Sequence, residues 1–165
     1  MLEKQAKVII CSHLGRPKGK PNPKLSMVSV AKHLINFLSC KVRFSPSAVG
    51  DIAKEKVAEL NNGEVLVLEN IRFYEEEEQN SPIFAAKLAE LADIYVNDAF
   101  GCAHRKHAST FGLAKLLPNA VGFLITSSLD SSVTLNSGSG SGCTTGFSTR
   151  TTGFSPLTGS VCGTY

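Results

Sequence analysis

The chain has 165 residues, 42% hydrophobic and 19% charged, with a formal net charge of +3 at pH 7. That length suits one domain with a core of ordinary size and leaves no room for a two-domain enzyme. So small a positive excess does not by itself imply nucleic acid, and no stretch reaches the ~20 apolar residues of a membrane span.

The first element in chain order is a strand over Val8–Ser12, compact and β-favouring, ended by the Gly, Pro and Lys that follow. From Ser26, an N-cap candidate, Val30, Leu34, Phe37 and Leu38 recur at helical spacing. Val42–Phe44 reads as a second strand. Asp51–Leu60 has an amphipathic helix pattern that Asn61, Asn62 and Gly63 stop. Val65–Leu68 is apolar at every position, as suits a strand buried between two helix layers. Ser81 and Pro82 provide a cap and a first-turn proline for a helix through Ala92, with Phe84, Leu88 and Leu91 turned inward. A strand Ile94–Asp98 follows, then a helix capped by Ser109 and reaching Leu117. Ala120–Ile125 reads equally as strand or buried helix.

Strands alternating with amphipathic helices predict an α/β fold: a doubly wound parallel sheet with helices on both faces, Rossmann-like but incomplete. In such sheets the first strand usually lies centrally, yet only a few residues precede this one, leaving one of its sides without an evident partner. Two units are expected, a folded body over 1–125 and a tail over 126–165. In the tail, 26 of 40 residues are Ser, Thr or Gly, too little apolar surface to offset the entropy of ordering, so disorder is expected. The pentapeptide TTGFS occurs twice, at Thr144–Ser148 and Thr151–Ser155, too short a repeat for a solenoid.

Three stretches, VIICSHLGRP, VLVLENIRF and IYVNDAFGCAHRKH, each run an apolar segment into a loop carrying arginine. If the three strands are parallel, their carboxyl ends bring Arg16, Arg72 and Arg105 to one sheet edge, where open α/β sheets bind ligands. Arginine forks match phosphate and carboxylate oxygens, so the convergence describes a site for a small polyanion. Each loop also has a plainer reading. His13, Leu14, Gly15 and Arg16 form either a ligand loop or an ordinary turn. Arg72 either meets a ligand or pairs with Glu69 or one of Glu75–Glu78, a run that reads as a solvated face. The cluster His104, Arg105, Lys106 and His107 is either an anion loop or an exposed basic one. A metal on His104 and His107 lacks further ligands at matching spacing, and Cys102 lacks an evident base to make it a nucleophile. The five cysteines show no zinc or disulfide spacing and fit a reducing compartment. The amino terminus offers too short an apolar run for a signal peptide. Neither GxGxxG nor GxxxxGK[ST] occurs, so no nucleotide-binding loop is recognisable. Aromatic residues are not interleaved with the basic ones, which argues against nucleic acid as a partner.

Taken together, SHLGRPKGK, VLVLENIRFYEEEEQN and LADIYVNDAFGCAHRKHAS closely resemble the amino-terminal, phosphoglycerate-binding domain of phosphoglycerate kinase, in order and in register from about Ala6 to Ile125. The resemblance implies a family of two-domain, hinge-closing monomers that transfer phosphoryl between 1,3-bisphosphoglycerate and ADP in glycolysis and carbon fixation, using Mg2+ with ADP or ATP. It implies that His13, Leu14, Gly15, Arg16, Arg72, His104 and Arg105 contact 3-phosphoglycerate. It also implies departures. The family's first substrate strand lies before this chain's start, and its nucleotide domain lies beyond Ile125. No catalytic residue, nucleotide site or metal site is therefore expected here. The chain alone is expected to be inactive and to bind 3-phosphoglycerate weakly, or else to act as a non-catalytic anion-binding or regulatory module. Neither nucleic acid nor a membrane is an expected partner. Self-association is an expected hazard, and the compartment is the cytoplasm, or a plastid after loss of a transit peptide.

Overall fold

The computed structural model describes residues 1–130 and, as backbone, Ser160–Thr164. Six parallel strands form one sheet: β1 (Lys7–Cys11), β2 (Val42–Ser45), β3 (Val65–Leu68), β4 (Ile94–Asn97), β5 (Asn119–Val121) and β6 (Ser160–Thr164), in the order β2-β3-β1-β6-β4-β5. The helices are α1 (Val28–Leu34), α2 (Asp51–Ala58), α3 (Glu75–Glu78), α4 (Pro82–Ala89) and α5 (Phe123–Asp130). The α/β reading holds, with helices on both faces.

The sheet alternation sorts the core into two layers. Ile9, Cys11, Leu66, Leu68 and Tyr95 meet Ala53 of α2, Phe84 and Leu88 of α4, and Leu113. On the other face Val8, Val65 and Val67 meet Met27 and Ala31, the latter on α1. All four residues of β3 are buried, which is why its sequence carries no polar alternation. The connection β1 to β2 steps one way through the sheet with α1 on one face. Connections β2 to β3, β3 to β4 and β4 to β5 step the other way on the opposite face, as right-handed crossovers require.

Several predicted boundaries move. Ser26 closes the turn Pro23–Leu25, and Met27 precedes α1, which ends at Leu34; Phe37 is 71% exposed rather than inward. The Ser81 cap is present, its Oγ accepting from Phe84 N at 3.5 Å, but α4 ends at Ala89. Ser109 does not cap a helix. It lies buried inside a wide turn, Ala108–Gly112, that runs into a tighter one, Leu113–Lys115. The ambiguous run 120–125 is split: β5 ends at Val121, and α5 starts at Phe123. Asp98 Oδ1 accepts from Leu124 N at 2.8 Å beneath that start, and a side chain on Gly122 would collide with Asp98. Residues 126–130 are helical and Ser160–Thr164 are strand, where composition predicts no structure. The remaining tail, with its TTGFS repeat, lies outside the described residues. The open side of β1 is filled by β6.

The edges of the sheet differ. On β2, Arg43 Nε bonds Glu64 Oε2 at 2.8 Å. On β5, all three residues are exposed, Val121 by 57%, and Phe123 beyond it by 90%. An apolar groove of about 760 Å³ crosses the α1 face, between Val8, Ile10, Val30, Leu34 and Phe123. No described helix is long and apolar enough to cross a membrane.

Candidate functional site

The carboxyl ends of β1, β3 and β4 carry the basic loops. The β1 loop is held in place by residues after β3. Ile71 N donates to Ser12 O at 3.2 Å, and Asn70 Nδ2 donates to Leu14 O and Leu25 O, each at 2.8 Å. Glu69 caps the approach to α1, accepting from Met27 N at 2.8 Å and Ser26 Oγ at 2.7 Å. Gly15 turns the loop at φ +68°, where a Cβ would come 2.8 Å from Leu25 Cδ2. A left-handed backbone and a close neighbour both call for glycine there.

Arg72 lies at the centre, 5% exposed. Its Nη1 donates to Gly15 O at 3.4 Å, its Nε is 3.6 Å from Glu78 Oε1, and its Nη2 is 4.0 Å from Cys102 Sγ. Of the acidic partners offered by the sequence, Glu78 is the one that pairs. Glu69 is engaged elsewhere, and Glu78 is half exposed, so the pair does not enclose the guanidinium. The pair is solvent-screened on its acidic side and stabilises little.

The run Glu75–Glu78 is not a uniform solvated face. Glu77 is 1% exposed; its carboxylate accepts from Ser109 N at 2.9 Å and Ser109 Oγ at 2.6 Å, with His107 Nδ1 at 3.8 Å. Burial pushes its pKa up, against the lowering effect of the Ser109 hydrogen bonds and of Arg72. Glu77 thereby ties α3 to the loop that follows β4. Thr110 secures the same loop, its Oγ1 donating to Arg105 O at 2.8 Å.

His13, Arg72, Arg105 and His107 share one electrostatic neighbourhood. Burial first, then the charges of Arg72, His107 and Arg105, lower the His13 pKa to about 4, with Glu78 opposing. His107 is lowered by burial and then by Arg72, with Glu78 opposing and Arg105 and His104 adding. Both imidazoles are thus disposed to be neutral near pH 7, with burial and the arginines outweighing the opposing charge of Glu78. A bound anion would oppose the part of both shifts that Arg72 and Arg105 contribute. Between His13, Arg72, Cys102 and His107 the cleft measures about 10 Å³, room for roughly one water. A larger ligand has to sit at the mouth, reached by the longer side chains.

Of the seven residues selected from sequence, His13, Arg72 and Arg105 come together. His104 is exposed on the Arg105 loop beside His107. Leu14 and Gly15 contribute backbone carbonyls that hold the loop. Arg16 is exposed at the same sheet end, and its guanidinium has no hydrogen bond or ion pair with another described residue. The sequence reading passed over Asn70 and Glu77; it placed His107 in the basic cluster but did not carry it into the substrate-contact set. Among the described residues no group of three or more His, Cys, Asp or Glu is placed to hold a metal ion. The described residues thus offer no all-protein cage for Mg2+.

The phosphoglycerate kinase family profile matches residues 1–138. The chain is 52% identical over 126 residues to a phosphoglycerate kinase of Prochlorococcus marinus (strain MIT 9515), covering 76% of this chain and 31% of that protein. It is 53% identical over 131 residues to a cytosolic phosphoglycerate kinase of Triticum aestivum, covering 79% and 32%. Among solved structures, phosphoglycerate kinase from Pyrococcus horikoshii OT3 superposes with a TM-score of 0.67 at 36% identity, over 78% of this chain and 33% of that one. The enzyme from Coxiella burnetii gives 0.66 at 34% identity, over 78% and 32%. The chain thus spans about a third of the length of the curated relatives it matches.

Proposed function

Because this chain belongs to the phosphoglycerate kinase family, we propose that its basic cluster binds 3-phosphoglycerate or a similar small anion bearing phosphate and carboxylate groups. The observation that carries this reading is the meeting of Arg72 and Arg105 around the partly buried His13, whose pKa burial, and then Arg72, His107 and Arg105, lower to about 4. A dianion relieves the repulsion among these groups. Arg72 is oriented beforehand by its Gly15 and Glu78 contacts, so little side-chain freedom is lost when it meets a phosphate oxygen. Arg105 approaches from the β4 loop, Arg16 reaches in from solvent, and His13 and His104 donate from either side.

The affinity is modest. Three arginine contacts of ~1.5–3 kcal/mol each are opposed by an association cost of ~4 kcal/mol or more, which leaves at most about 5 kcal/mol and binding in the millimolar range or weaker. In the complete enzyme the same cluster would hold the acceptor or donor of a phosphoryl group exchanged with ADP or ATP and Mg2+. That reaction depends on positioning both substrates and on stabilising transferred charge. This stretch of chain, with one anion cluster and neither GxGxxG nor GxxxxGK[ST] in its sequence, is proposed to bind without turning over, as an anion-binding or regulatory unit. Its compartment is proposed to be the cytoplasm, with a plastid the alternative for a processed precursor. Neither nucleic acid nor a membrane is a proposed partner.

An amide NMR titration of the full chain with millimolar 3-phosphoglycerate tests the reading. Shifts confined to residues around Arg16, Arg72 and Arg105 are expected, and Arg72→Ala should abolish them. A ligand-indifferent, dispersed spectrum would refute the binding claim, and ADP-dependent turnover by the purified chain would refute the claim of inactivity.

A further inference from the structure

The backbone ladder of this sheet runs from one half to the other through β6 alone. β1 and β4 are not paired with each other: Val8 and Ile94 both stand in register with Val161, and Ile10 and Val96 both with Gly163. On one side lie β2, β3 and β1, whose loops carry His13, Arg16 and Arg72. On the other lie β4 and β5, flanking the loop that carries His104, Arg105 and His107. Neighbouring strands are ~4.8 Å apart, so one intervening strand sets β1 and β4 ~10 Å apart. Direct pairing of β1 with β4 would halve that distance and displace one half of the basic cluster against the other.

The place of β6 is set by two flanking ladders of five and four residue pairs. The route is open in cis. Gly122 and Phe123, at the start of α5, line the groove on the α1 face beside Val8 and Ile10. The 29 residues between Asp130 and Ser160 span up to roughly 95 Å, ample for strands ~10 Å apart.

We propose that the gap between β1 and β4 is a binding site for a parallel extended segment, that Ser160–Thr164 of the same chain is its occupant, and that seating of this strand assembles the anion cluster. The linkage to the anion rests on the binding function proposed above; the strand site does not. By reciprocity, the factor by which the seated strand raises anion affinity is the factor by which the anion favours seating.

Backbone hydrogen exchange on the full chain tests both parts, with sedimentation to fix the mass. In the wild type, amides of Ser160–Thr164 should exchange at least about 100-fold slower than in a free peptide of that sequence. Millimolar 3-phosphoglycerate should slow them further. Val161→Pro removes a ladder donor, and should bring this segment to the free-peptide rate while speeding exchange in β1 and β4 about tenfold or more. Free-peptide exchange at Ser160–Thr164 in the wild type overturns the strand site, whether or not the proline variant folds. Full protection in a dimer assigns the strand to a second copy and overturns the cis form. Protection that is indifferent to a bound anion overturns the linkage. Absence of anion binding altogether, with the strand protected, overturns only the function proposed above and leaves the strand site standing.

Discussion

His13 is neutral because of where it stands: burial, then Arg72, His107 and Arg105, hold its pKa near 4. In the unfolded chain the same group titrates near 6.5, so between about pH 6.5 and 4 the unfolded state binds the extra proton. Its contribution to stability is complete above pH 6.5 and is lost as the pH falls through about 4. Glu77 runs the opposite way. Its raised pKa means its contribution is complete below about 4.5 and is lost as the pH rises through the higher folded value. An anion at the cluster favours protonated His13, so sulfate, which keeps one charge state over this range, should bind more tightly at pH 5 than at pH 7, with proton uptake. Calorimetry in buffers of different ionisation enthalpy measures that uptake, and His13→Gln should flatten the pH dependence; a flat wild-type profile contradicts the assignment. His13, Arg72 and Arg105 were legible in sequence because each follows an apolar strand whose end fixes where it emerges. Glu77 was not. Four consecutive glutamates look alike until the turn of α3 sets one of them against Ser109.

At the scale of elements, the loop from Ser12 to Leu25 has little regular structure of its own and depends on the segment after β3. Asn70 is the main fastening: fully buried, it donates to two carbonyls of that loop and accepts from Arg72 N at 3.0 Å. Asn70→Ala strands these groups, and should cost about 2–4 kcal/mol if each lost bond is worth ~1 kcal/mol with a desolvation penalty added. Urea unfolding measures the loss, and limited proteolysis should show new cleavage between residues 12 and 25. A variant as stable and as resistant as the wild type would mean that the loop is held by Glu69 and its own turns. The strands β1 to β4 were legible to within a residue or so, since β3 is apolar throughout and β1 and β4 run into glycine-bearing loops, whereas the run that holds β5 read equally as strand or helix. Helix ends were less so. Phe37 keeps the spacing of α1, but the helix has already stopped at Leu34, and periodicity records spacing without recording where the hydrogen bonds end.

Over the whole molecule, the two core layers meet through the sheet, and β3 serves both. Leu66 is fully buried beside Ile9 and Leu68 in one layer, while Val65 and Val67 fill the other. Leu66→Ala should lower stability by about 2–5 kcal/mol, as core leucine truncations do, with a single unfolding transition for body and cluster together. Thermal melts followed by circular dichroism and by a ligand-site NMR signal check this; separate transitions would mean that the cluster is not built on the core. The α/β architecture could be read from the alternation of patterns. The sixth strand could not, because it lies in a segment whose Ser, Thr and Gly content predicts no structure. The two outer strands face solution unequally. Beside β2 stand Arg43, Glu59 and Glu64, charges that an incoming strand would have to desolvate. Asn119–Val121 has no charge, and Phe100, Phe123 and Leu124 lie exposed nearby. Copies of the molecule that meet through their sheets are therefore expected to do so along the uncharged Asn119–Val121 border rather than along β2.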